Sequence, residues 1–224
     1  MLSRTCVCRM HLGGQVMKTL VVTGGIGSGK SAVCSILRDV YGCGVYEADS
    51  RVKMLYHEHK TLLADIEDKL GESYRDAEGN FQPKLLAERI FRDRDALNSV
   101  EEMVFPVLVD DFRKWAEGYK NDGFVVFESA TILEKPYFKD FGDMVLLVDA
   151  PFEVRLERAC TRDGMTREAV MGRMLQQSLM NAISNGEAEA AAHAVIRNVG
   201  TFEELKDLTV RVTDEILNLN SNIR

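Results

Sequence analysis

A glycine-rich octapeptide, GGIGSGKS, occupies residues 24–31 and directly follows the short apolar run KTLVVT. It fits the pattern G-x-x-x-x-G-K-[ST], with Gly24, Gly29, Lys30 and Ser31 at the fixed positions. In such a loop the backbone N–H groups face phosphate, the lysine reaches the β- and γ-phosphates, and the hydroxyl ligates Mg²⁺. The motif therefore predicts a nucleoside triphosphate site between a strand and a helix.

The backbone of this loop is expected to supply most of the contacts to the nucleotide. Glycine permits the backbone angles and the close approach that a phosphate requires, and the following helix adds about half a positive charge at its N-terminus. A tight strand–helix turn with an exposed lysine is the alternative interpretation. The expected nucleotide-binding residues of the loop are Gly25, Ile26, Gly27, Ser28, Gly29, Lys30, Ser31 and Ala32. Ser31 is expected to hold Mg²⁺ together with the phosphates of the nucleotide.

Apolar runs alternate with amphipathic stretches along the rest of the chain. Apolar residues at helical spacing in SAVCSILRDVYG predict a helix after the loop, and Thr201 with Glu204 three residues on predicts the start of a C-terminal helix. The predicted strands are LVVT, GVYEADS, GFVVFES, DMVLLVDAP and HAVIRNVG. Continuous apolar runs are typical of strands buried on both faces of a parallel sheet. The pattern predicts the α/β class, as a three-layer P-loop NTPase fold with a parallel sheet.

Composition also divides the chain into parts. Residues 17–50 and 121–224 hold the predicted strands and form the expected nucleotide-binding core. Residues 51–120 are charged and mostly helical, which predicts a helical substrate-binding subdomain inserted between strands. An arginine-rich segment at about 158–185 follows the fourth strand, and we expect it to be a lid that closes over the phosphates.

Residues 1–16 contain two arginines, no acidic residue and no clear hydrophobic period. We expect them to be a disordered extension, and two origins stay open: a short organellar targeting segment, or a start upstream of a second one at Met17. Cys6, Cys8 and His11 could belong to a metal cluster, but a fourth ligand is missing.

The balance of charged and apolar residues excludes several classes of protein. The 224 residues have a formal net charge of −7, which argues against a general nucleic-acid surface, and no apolar segment approaches membrane-spanning length. The five cysteines are an odd number at irregular spacing, which favours free thiols in the cytoplasm over a disulfide framework. We therefore expect a cytoplasmic protein that binds small molecules, neither nucleic acid nor membrane, as a monomer or a weak homo-oligomer.

Two acidic residues at strand ends are candidates for the chemistry. Asp49 follows the second predicted strand, and in open parallel sheets ligands bind outside the carboxyl ends of the strands. A carboxylate there could accept the proton of an attacking hydroxyl, although a helix N-cap explains the same residue. Glu128 ends a buried strand and could hold a metal-bound water or be an exposed strand-end acid.

Arginines are concentrated in the predicted lid. Arg162 precedes Asp163 and Gly164 at the turn of the lid and is the better phosphate candidate. Arg155 and Arg158 could instead pair with neighbouring glutamates on a solvated helix face. The positive charge that an acidic chain needs for an anionic ligand is thus available locally.

Taken together, these residues resemble the dephospho-CoA kinase family. The resemblance covers nearly everything from Met17 to the C-terminal helix, and it implies phosphorylation of the ribose 3′-hydroxyl of dephospho-CoA with ATP and Mg²⁺. The segments that carry it are TGGIGSGKS at 23–31, EADSRV at 47–52, ERIFRDRDALNSVEEMVFPVL at 88–108, ILEKPYFKDFGDMVLLVDAP at 132–151, RACTRDGMTRE at 158–168, RMLQQ at 173–177 and VIRNVG at 195–200.

The resemblance implies roles for individual residues. Asp49 matches the aspartate that acts as general base on the 3′-hydroxyl, and Thr23 matches a threonine near the acceptor or the phosphates, so both are expected to bind substrate. Arg162 matches the lid arginine that contacts the phosphates of ATP, which makes Lys30, Asp49 and Arg162 the expected catalytic set. Two alternatives stay open: another small-molecule P-loop kinase, of nucleoside or shikimate type, and a nucleotide-binding module that no longer turns over.

The chain departs from the family's pattern at four positions. Glu47 and His193 each stand where an aspartate is usual, Phe105 stands where a histidine is usual, and Ala130 replaces a proline. None of these positions is the loop lysine, the expected base or the lid arginine. We therefore expect an active enzyme.

Overall fold

The structure, a computed structural model, describes residues 10–12, 15–119, 123–175, 177 and 191–219. The chain divides into two compact units. The core unit consists of Met1–Glu47 and Tyr119–Arg224, and the helical unit of Ala48–Gly118. The core had been predicted to extend to residue 50, so the boundary lies three residues earlier and Asp49 belongs to the helical unit.

The described residues contain strands and helices in nearly regular alternation outside the helical unit. The strands are β1 Met10–Leu12, β2 Gln15–Thr23, β3 Val45–Glu47, β4 Phe124–Glu128, β5 Met144–Asp149 and β6 Ala194–Arg197. The helices are α1 Lys30–Tyr41, α2 Ala48–Glu58, α3 Leu62–Leu70, α4 Pro83–Arg92, α5 Arg94–Ala116, α6 Phe152–Asp163, α7 Arg167–Leu175 and α8 Phe202–Leu219. Short 3-10 turns lie at Glu117–Tyr119, Ile132–Glu134 and Pro136–Phe138.

The sheet of the core unit is parallel, in the order β3-β4-β2-β5-β6. Val22 of β2 is in register with Glu128 of β4, and Asp149 of β5 with Arg197 of β6. Because the five strands run in one direction, their carboxyl ends lie along one edge, and the glycine-rich loop leaves β2 at that edge. The predicted α/β class with a parallel sheet is confirmed.

Both faces of this sheet are buried, which explains the continuous apolar runs in the sequence. Leu20, Val22 and their alternating counterparts on β4, β5 and β6 pack with α1 and α8 in one hydrophobic cluster. On the other face Phe127 meets Phe141 edge to face, with ring centroids 4.7 Å apart. Side chains alternate between the faces with a period of two, so a parallel strand buried on both sides needs an apolar residue at nearly every position.

Hydrogen bonds at helix ends follow the sequence closely. In the predicted capping box the Thr201 N–H donates to Glu204 Oε2 at 2.7 Å, and the Glu204 N–H donates to Thr201 Oγ1 at 3.3 Å. Gly42 ends α1 in the left-handed region, with a φ of 66°, and its N–H donates to the carbonyl of Arg38. The C-terminal end of α1 and the N-terminal end of α8 are thus encoded locally.

The helical unit packs four helices around buried apolar side chains. The long helix α5 starts at a well-made cap, because Asp93 accepts the N–H groups of Asp95 and Ala96. A turn between α3 and α4 is closed by an antiparallel bridge between Arg75 and Phe81. Among the described residues no helix combines the length and the apolar character needed to cross a membrane.

The N-terminal segment contains one element that the prediction of a disordered extension did not include. Met10–Leu12 forms β1 and pairs antiparallel with β2, so that Met10 is in register with Met17. β2 itself begins at Gln15, five residues before Leu20, the first residue of the predicted strand LVVT. Residues 1–9, with Cys6 and Cys8, lie outside the described residues.

Candidate active site

The loop between β2 and α1 has a backbone that requires glycine at more positions than the motif fixes. Gly27 and Gly29 have φ angles of 76° and 102°, in the left-handed region. A Cβ on Gly27 would lie 2.1 Å from the carbonyl oxygen of Arg155, and one on Gly29 would lie 2.1 Å from Nδ2 of Asn198. Any side chain at these positions would therefore displace the loop from α6 or from the end of β6.

Lys30 is held at the loop by its own backbone. Its Nζ donates to the carbonyl oxygen of Gly24 at 2.8 Å and to that of Gly25 at 3.5 Å. Oε1 of Glu128 lies 3.9 Å from the same nitrogen, and the two side chains are only 12% and 13% exposed. The alternative of a tight turn with an exposed lysine is wrong, because the ammonium group is largely covered and has a carboxylate beside it.

Asn198, just after β6, links the loop to two other elements. Its Nδ2 donates to the carbonyl oxygen of Ser28 at 2.8 Å in a buried contact, and its own carbonyl accepts from Nη1 of Arg158 at 3.2 Å. A peptide is planar and trans, so its N–H points away from its C=O. Fixing the Ser28 carbonyl toward Asn198 therefore turns the Gly29 N–H to the opposite side, where a phosphate can accept it.

This geometry makes Asn198 a positioning residue, which predicts a selective effect on the nucleotide. We expect Asn198→Ala to raise KM for ATP by about tenfold to a hundredfold, because the buried Ser28 carbonyl loses its donor. KM for the second substrate should change by less than about threefold. Steady-state kinetics with each substrate varied in turn would measure both values.

Two further variants separate positioning from general destabilisation. Asn98→Ala removes an exposed asparagine from α5 and should leave both KM values unchanged. Asn198→Asp keeps the size of the side chain but replaces the donor with an oxygen, so it should not restore KM for ATP. Equal losses for both substrates, in step with a lower melting temperature, would reduce Asn198 to a merely structural residue.

The end of α6 places Arg162 at the predicted turn of the lid. Gly164 caps the helix with a φ of 62°, and α7 begins at Arg167, so the predicted turn at Asp163 and Gly164 is confirmed. Nε of Arg162 donates to Asp163 Oδ1 at 2.7 Å, and Nη1 of Arg173 lies 3.5 Å from Asp163 Oδ2. The hydrogen bond from Arg162 is the main cause that lowers the pKa of Asp163. A phosphate that binds Arg162 would take the place of this carboxylate.

Arg155 and Arg158 do not form the solvated face that was the alternative interpretation. Arg155 is 3% exposed, and burial lowers the pKa of its guanidinium while Asp149 opposes that shift. Arg158 is half-buried and donates to the backbone beyond β6. Glu153 pairs with Arg167 of α7 instead of with Arg155. Both arginines thus belong to the packing beneath the loop.

Asp49 lies in the helical unit, in the first turn of α2, and is exposed. Since α2 begins at Ala48, Asp49 is inside the helix and the N-cap interpretation is wrong. In the same turn Arg51 pairs with Asp111 of α5 at 2.7 Å, which fixes this end of α2 within its unit. Asp49 follows the last residue of β3 by two positions, and its role as a base stays a prediction.

The remaining predicted site residues lie at the end of β2 and in the first turn of α1. Thr23 ends β2 and is fully buried, and its Oγ1 has no hydrogen-bond partner in the described part of the chain. Its predicted contact with substrate stays a prediction. Ser31 and Ala32 lie in the first turn of α1, where Ser31 is exposed.

The donors near the loop are suited to Mg²⁺. Within the described ranges no three His, Cys, Asp or Glu side chains come together to hold a metal ion. Magnesium in phosphate sites needs no such cluster, because it is bound by one or two protein oxygens together with the phosphates and water. The hydroxyl of Ser31 and the carboxylate of Glu128 are hard oxygen donors of that kind.

Sequence reasoning missed three residues that contact the loop or its support. They are Arg158, Gln177 and Asn198. Oε1 of Gln177 accepts the N–H of Ile26 at 2.9 Å, so the chain just after α7 contacts the loop. Gln177 and Asn198 stand in RMLQQ and VIRNVG, two of the segments that carried the resemblance. No local pattern in the sequence predicts that Gln177 contacts Ile26 or that Asn198 contacts Ser28, because each pair is more than a hundred positions apart.

The departure at His193 has a structural explanation. Its Nδ1 accepts the N–H of Val145 at 3.0 Å, and its own N–H donates to the carbonyl of Val145 at 2.8 Å. An aspartate at this position could accept the same Val145 N–H through its carboxylate, so the histidine preserves a hydrogen-bond acceptor there. The start of the β5–β6 pairing is therefore kept.

Comparison with known proteins gives a consistent set of relatives. The sequence matches the family model described as dephospho-CoA kinase over residues 19–204. It is 30% identical to a dephospho-CoA kinase of Aquifex aeolicus over 200 residues, which are 89% of this chain and 98% of the relative. It is 36% identical to a dephospho-CoA kinase of Porphyromonas gingivalis over 173 residues, 77% of this chain and 84% of the relative.

Solved structures show the same fold. A crystal structure of a Thermus thermophilus protein has a TM-score of 0.72 at 27% identity, and the match covers 89% of this chain and 97% of that one. A dephospho-CoA kinase from Campylobacter jejuni has a TM-score of 0.60 at 21% identity, covering 90% and 98%. A shikimate kinase from Acinetobacter baumannii has a TM-score of 0.50 at 16% identity, covering 93% and 96%, and shares the fold alone.

Proposed function

The chain belongs to the dephospho-CoA kinase family, and we infer that it transfers the γ-phosphate of ATP to the ribose 3′-hydroxyl of dephospho-CoA, giving CoA and ADP. The observation that carries this conclusion is the family match over residues 19–204, which includes the loop, the helical unit and helices α6 and α7. Phosphoryl transfer demands positioning and charge stabilisation more than covalent chemistry from the protein. The contacts of the loop are suited to that demand.

The loop and Lys30 are proposed to hold the β- and γ-phosphates. The backbone of the loop offers N–H donors beyond those of Ile26 and Ser28, which donate to Gln177 and Gly25, and the N-terminus of α1 favours anions. The Nζ of Lys30 is held beside the loop by the carbonyls of Gly24 and Gly25, so its charge is in place before the phosphate arrives. Arg162 would leave Asp163 and pair with phosphate oxygens as the lid closes, which excludes water from the transfer.

Mg²⁺ belongs to the proposal as the partner of ATP. The Ser31 hydroxyl would bind it, and the Glu128 carboxylate would hold a water of its coordination shell. When bound, the ion neutralises charge on the β- and γ-oxygens. Apart from that contribution, the steps below depend on side chains of the chain itself.

Asp49 is proposed as the general base. Its carboxylate would accept the proton of the 3′-hydroxyl as that oxygen forms a bond to the γ-phosphorus, and the bond from this phosphorus to the β,γ-bridging oxygen breaks to release ADP. Asp49 lies in the first turn of α2 and is exposed, so an incoming hydroxyl can reach its carboxylate. The helical unit is proposed to bind the acceptor, since Asp49 is part of it.

A coupled assay tests the whole proposal. ADP release should require ATP, Mg²⁺ and dephospho-CoA together, and the product should be CoA by mass. Nucleoside monophosphates and shikimate, offered at the same concentration, should give less than about a hundredth of that rate, because a site built for one acceptor rejects the others strongly. Turnover of shikimate or of a nucleoside monophosphate alone would overturn the assignment, and so would ATP binding without any turnover.

Location and assembly complete the proposal. We place the enzyme in the cytoplasm, as a monomer or a weak homo-oligomer. Cys34, Cys43 and Cys160 are free thiols, and the first two are buried, which suits a reducing compartment. Burial also raises the pKa of the Cys34 thiol, so this residue is an unreactive core side chain of α1.

A further inference from the structure

A polar cavity of about 280 Å³ opens in the helical unit, away from the first turn of α2. It lies among the end of α2, the start of α3 and the turn closed by Arg75 and Phe81. Its lining residues that matter here are Tyr56, His57, Lys60, Asn80 and Phe81. None of these residues had been given a role in the reaction.

The walls of this cavity combine flat aromatic rings with hydrogen-bond donors. The ring centroids of Tyr56 and Phe81 lie 5.0 Å apart, and those of His57 and Phe81 lie 5.6 Å apart. The edge of the cavity carries the ammonium of Lys60 and the amide of Asn80, both exposed. Apolar faces bordered by donors suit an uncharged flexible chain of methylenes interrupted by amide carbonyls.

The wall of the cavity that the turn from Arg75 to Asn80 forms is held in place by hydrogen bonds of charged side chains. Nε of Arg75 lies 3.0 Å from Glu67 Oε2, and its Nη1 donates to the carbonyl of Gly79 at 3.3 Å. Asp76 accepts the N–H of Asn80 at 2.8 Å, which closes the turn. A wall that is already held by such hydrogen bonds loses little conformational freedom when a ligand binds against it.

Helix geometry relates the cavity to Asp49. Tyr56 follows Asp49 by seven residues on α2, which places it about 10 Å along the axis and within roughly 20° of the same side of the helix. Lys53 lies between them, about 6 Å from Asp49 along the axis. The side of α2 that carries the proposed base therefore leads past an exposed lysine to the cavity.

Distances within dephospho-CoA match the distances between these residues along α2. About nine bonds separate the 3′-oxygen of dephospho-CoA from the first carbon of its pantetheine arm, and an extended chain advances about 1.2 Å per bond, so this carbon lies about 11 Å away. The diphosphate lies about 6–8 Å away on the same scale. With the 3′-oxygen at Asp49, the diphosphate would thus fall beside Lys53 and the arm would begin at Tyr56.

Resting on the proposed function, we propose that this cavity binds the pantetheine arm of dephospho-CoA. The methylenes pack on Tyr56 and Phe81, while His57, Lys60 and Asn80 donate to the amide carbonyls of the arm. Lys53 faces the diphosphate. The helical unit thereby selects an acceptor that carries the arm over one that carries only the nucleoside diphosphate.

The test compares two acceptors in one set of variants. The first is dephospho-CoA, and the second is adenosine 5′-(methyl diphosphate), which keeps the 3′-hydroxyl and the diphosphate but lacks the arm. We expect the double variant His57→Ala/Lys60→Ala to raise KM for dephospho-CoA by about fivefold to thirtyfold, since two or three hydrogen bonds are lost. KM for the truncated acceptor should change by less than twofold. The control Lys84→Ala removes an exposed lysine of α4 in the same unit and should change neither value.

A second measurement isolates the arm. Inhibition by 4′-phosphopantetheine, competitive with dephospho-CoA, should be present in the wild type and lost in the double variant. The proposal is overturned if both acceptors lose affinity equally, if dephospho-CoA loses none, or if the wild type has the same KM for both. If the wild type phosphorylates neither acceptor, the proposed function itself fails, which is a different outcome from an active enzyme with an unchanged KM.

Discussion

Asp49→Asn should lower kcat by roughly 10²–10⁴-fold, the range that a general base contributes. Asparagine keeps the size of the side chain but has no basic oxygen for the proton of the 3′-hydroxyl. ATP binding, measured by calorimetry, should change by less than about threefold, since Asp49 lies in the helical unit and the loop lies in the core unit. KM for dephospho-CoA should also change little, so the loss appears in kcat.

Matched variants exclude simpler explanations for such a loss. Asp65→Asn also removes an exposed aspartate from the first turn of a helix, in α3, so it reproduces any loss of helix–dipole stabilisation and should keep full activity. Glu47→Gln tests the other acid of the EADS segment, at the end of β3, and should change kcat by less than about threefold. Near-wild-type turnover in Asp49→Asn would remove Asp49 from the mechanism.

The sequence was sufficient for those features whose cause is local. The parallel sheet was predictable because continuous apolar runs leave few other solutions, and the loop because its pattern places glycines, a lysine and a hydroxyl in fixed order. The Thr201–Glu204 cap was predictable for the same reason, since both partners are three residues apart. In each case the interacting groups are close in the chain or are described by one period.

Features that depend on distant partners were not predictable. Asn198 meets Ser28 across 170 positions, and nothing near either residue indicates the other. Arg155 shows the converse error, because a charged residue beside two glutamates predicts a solvated helix face, yet the tertiary fold buries it beneath the loop. The cavity near Tyr56 required the packing of α2 against the turn at Arg75, which no sequence period describes.

The glycine at position 27 shows how tertiary packing adds to a motif. The phosphate pattern requires glycine only at positions 24 and 29, but α6 approaches so closely that Gly27 has no room for a side chain either. Helix α6 is thus packed directly on the glycine-rich loop within the core unit. A displacement of α6 would therefore shift the loop through this backbone contact.

Lys30→Met should lower kcat/KM for ATP by roughly 10²–10³-fold, the loss expected when one preorganised donor to a developing charge is removed. Methionine preserves most of the length of the side chain and its packing but removes the charge. In the structure the ammonium lies 2.8 Å from the Gly24 carbonyl, which keeps the charge of Lys30 at the loop. Lys206→Met, an exposed lysine of α8 in the same unit, is the control and should keep full activity.

A double-mutant cycle with Glu128→Gln then decides what the neighbouring carboxylate does. Its Oε1 lies 3.9 Å from the Lys30 ammonium, so it could either orient the lysine or hold water in the shell of Mg²⁺. If it only orients Lys30, Glu128→Gln should lower kcat in the wild type and add nothing to Lys30→Met. If it acts through the metal shell, as proposed above, the two losses should multiply, and the loss in Glu128→Gln should be partly recovered at higher Mg²⁺ concentration. Losses that fail to multiply would contradict the metal role and leave Glu128 as the residue that positions the lysine.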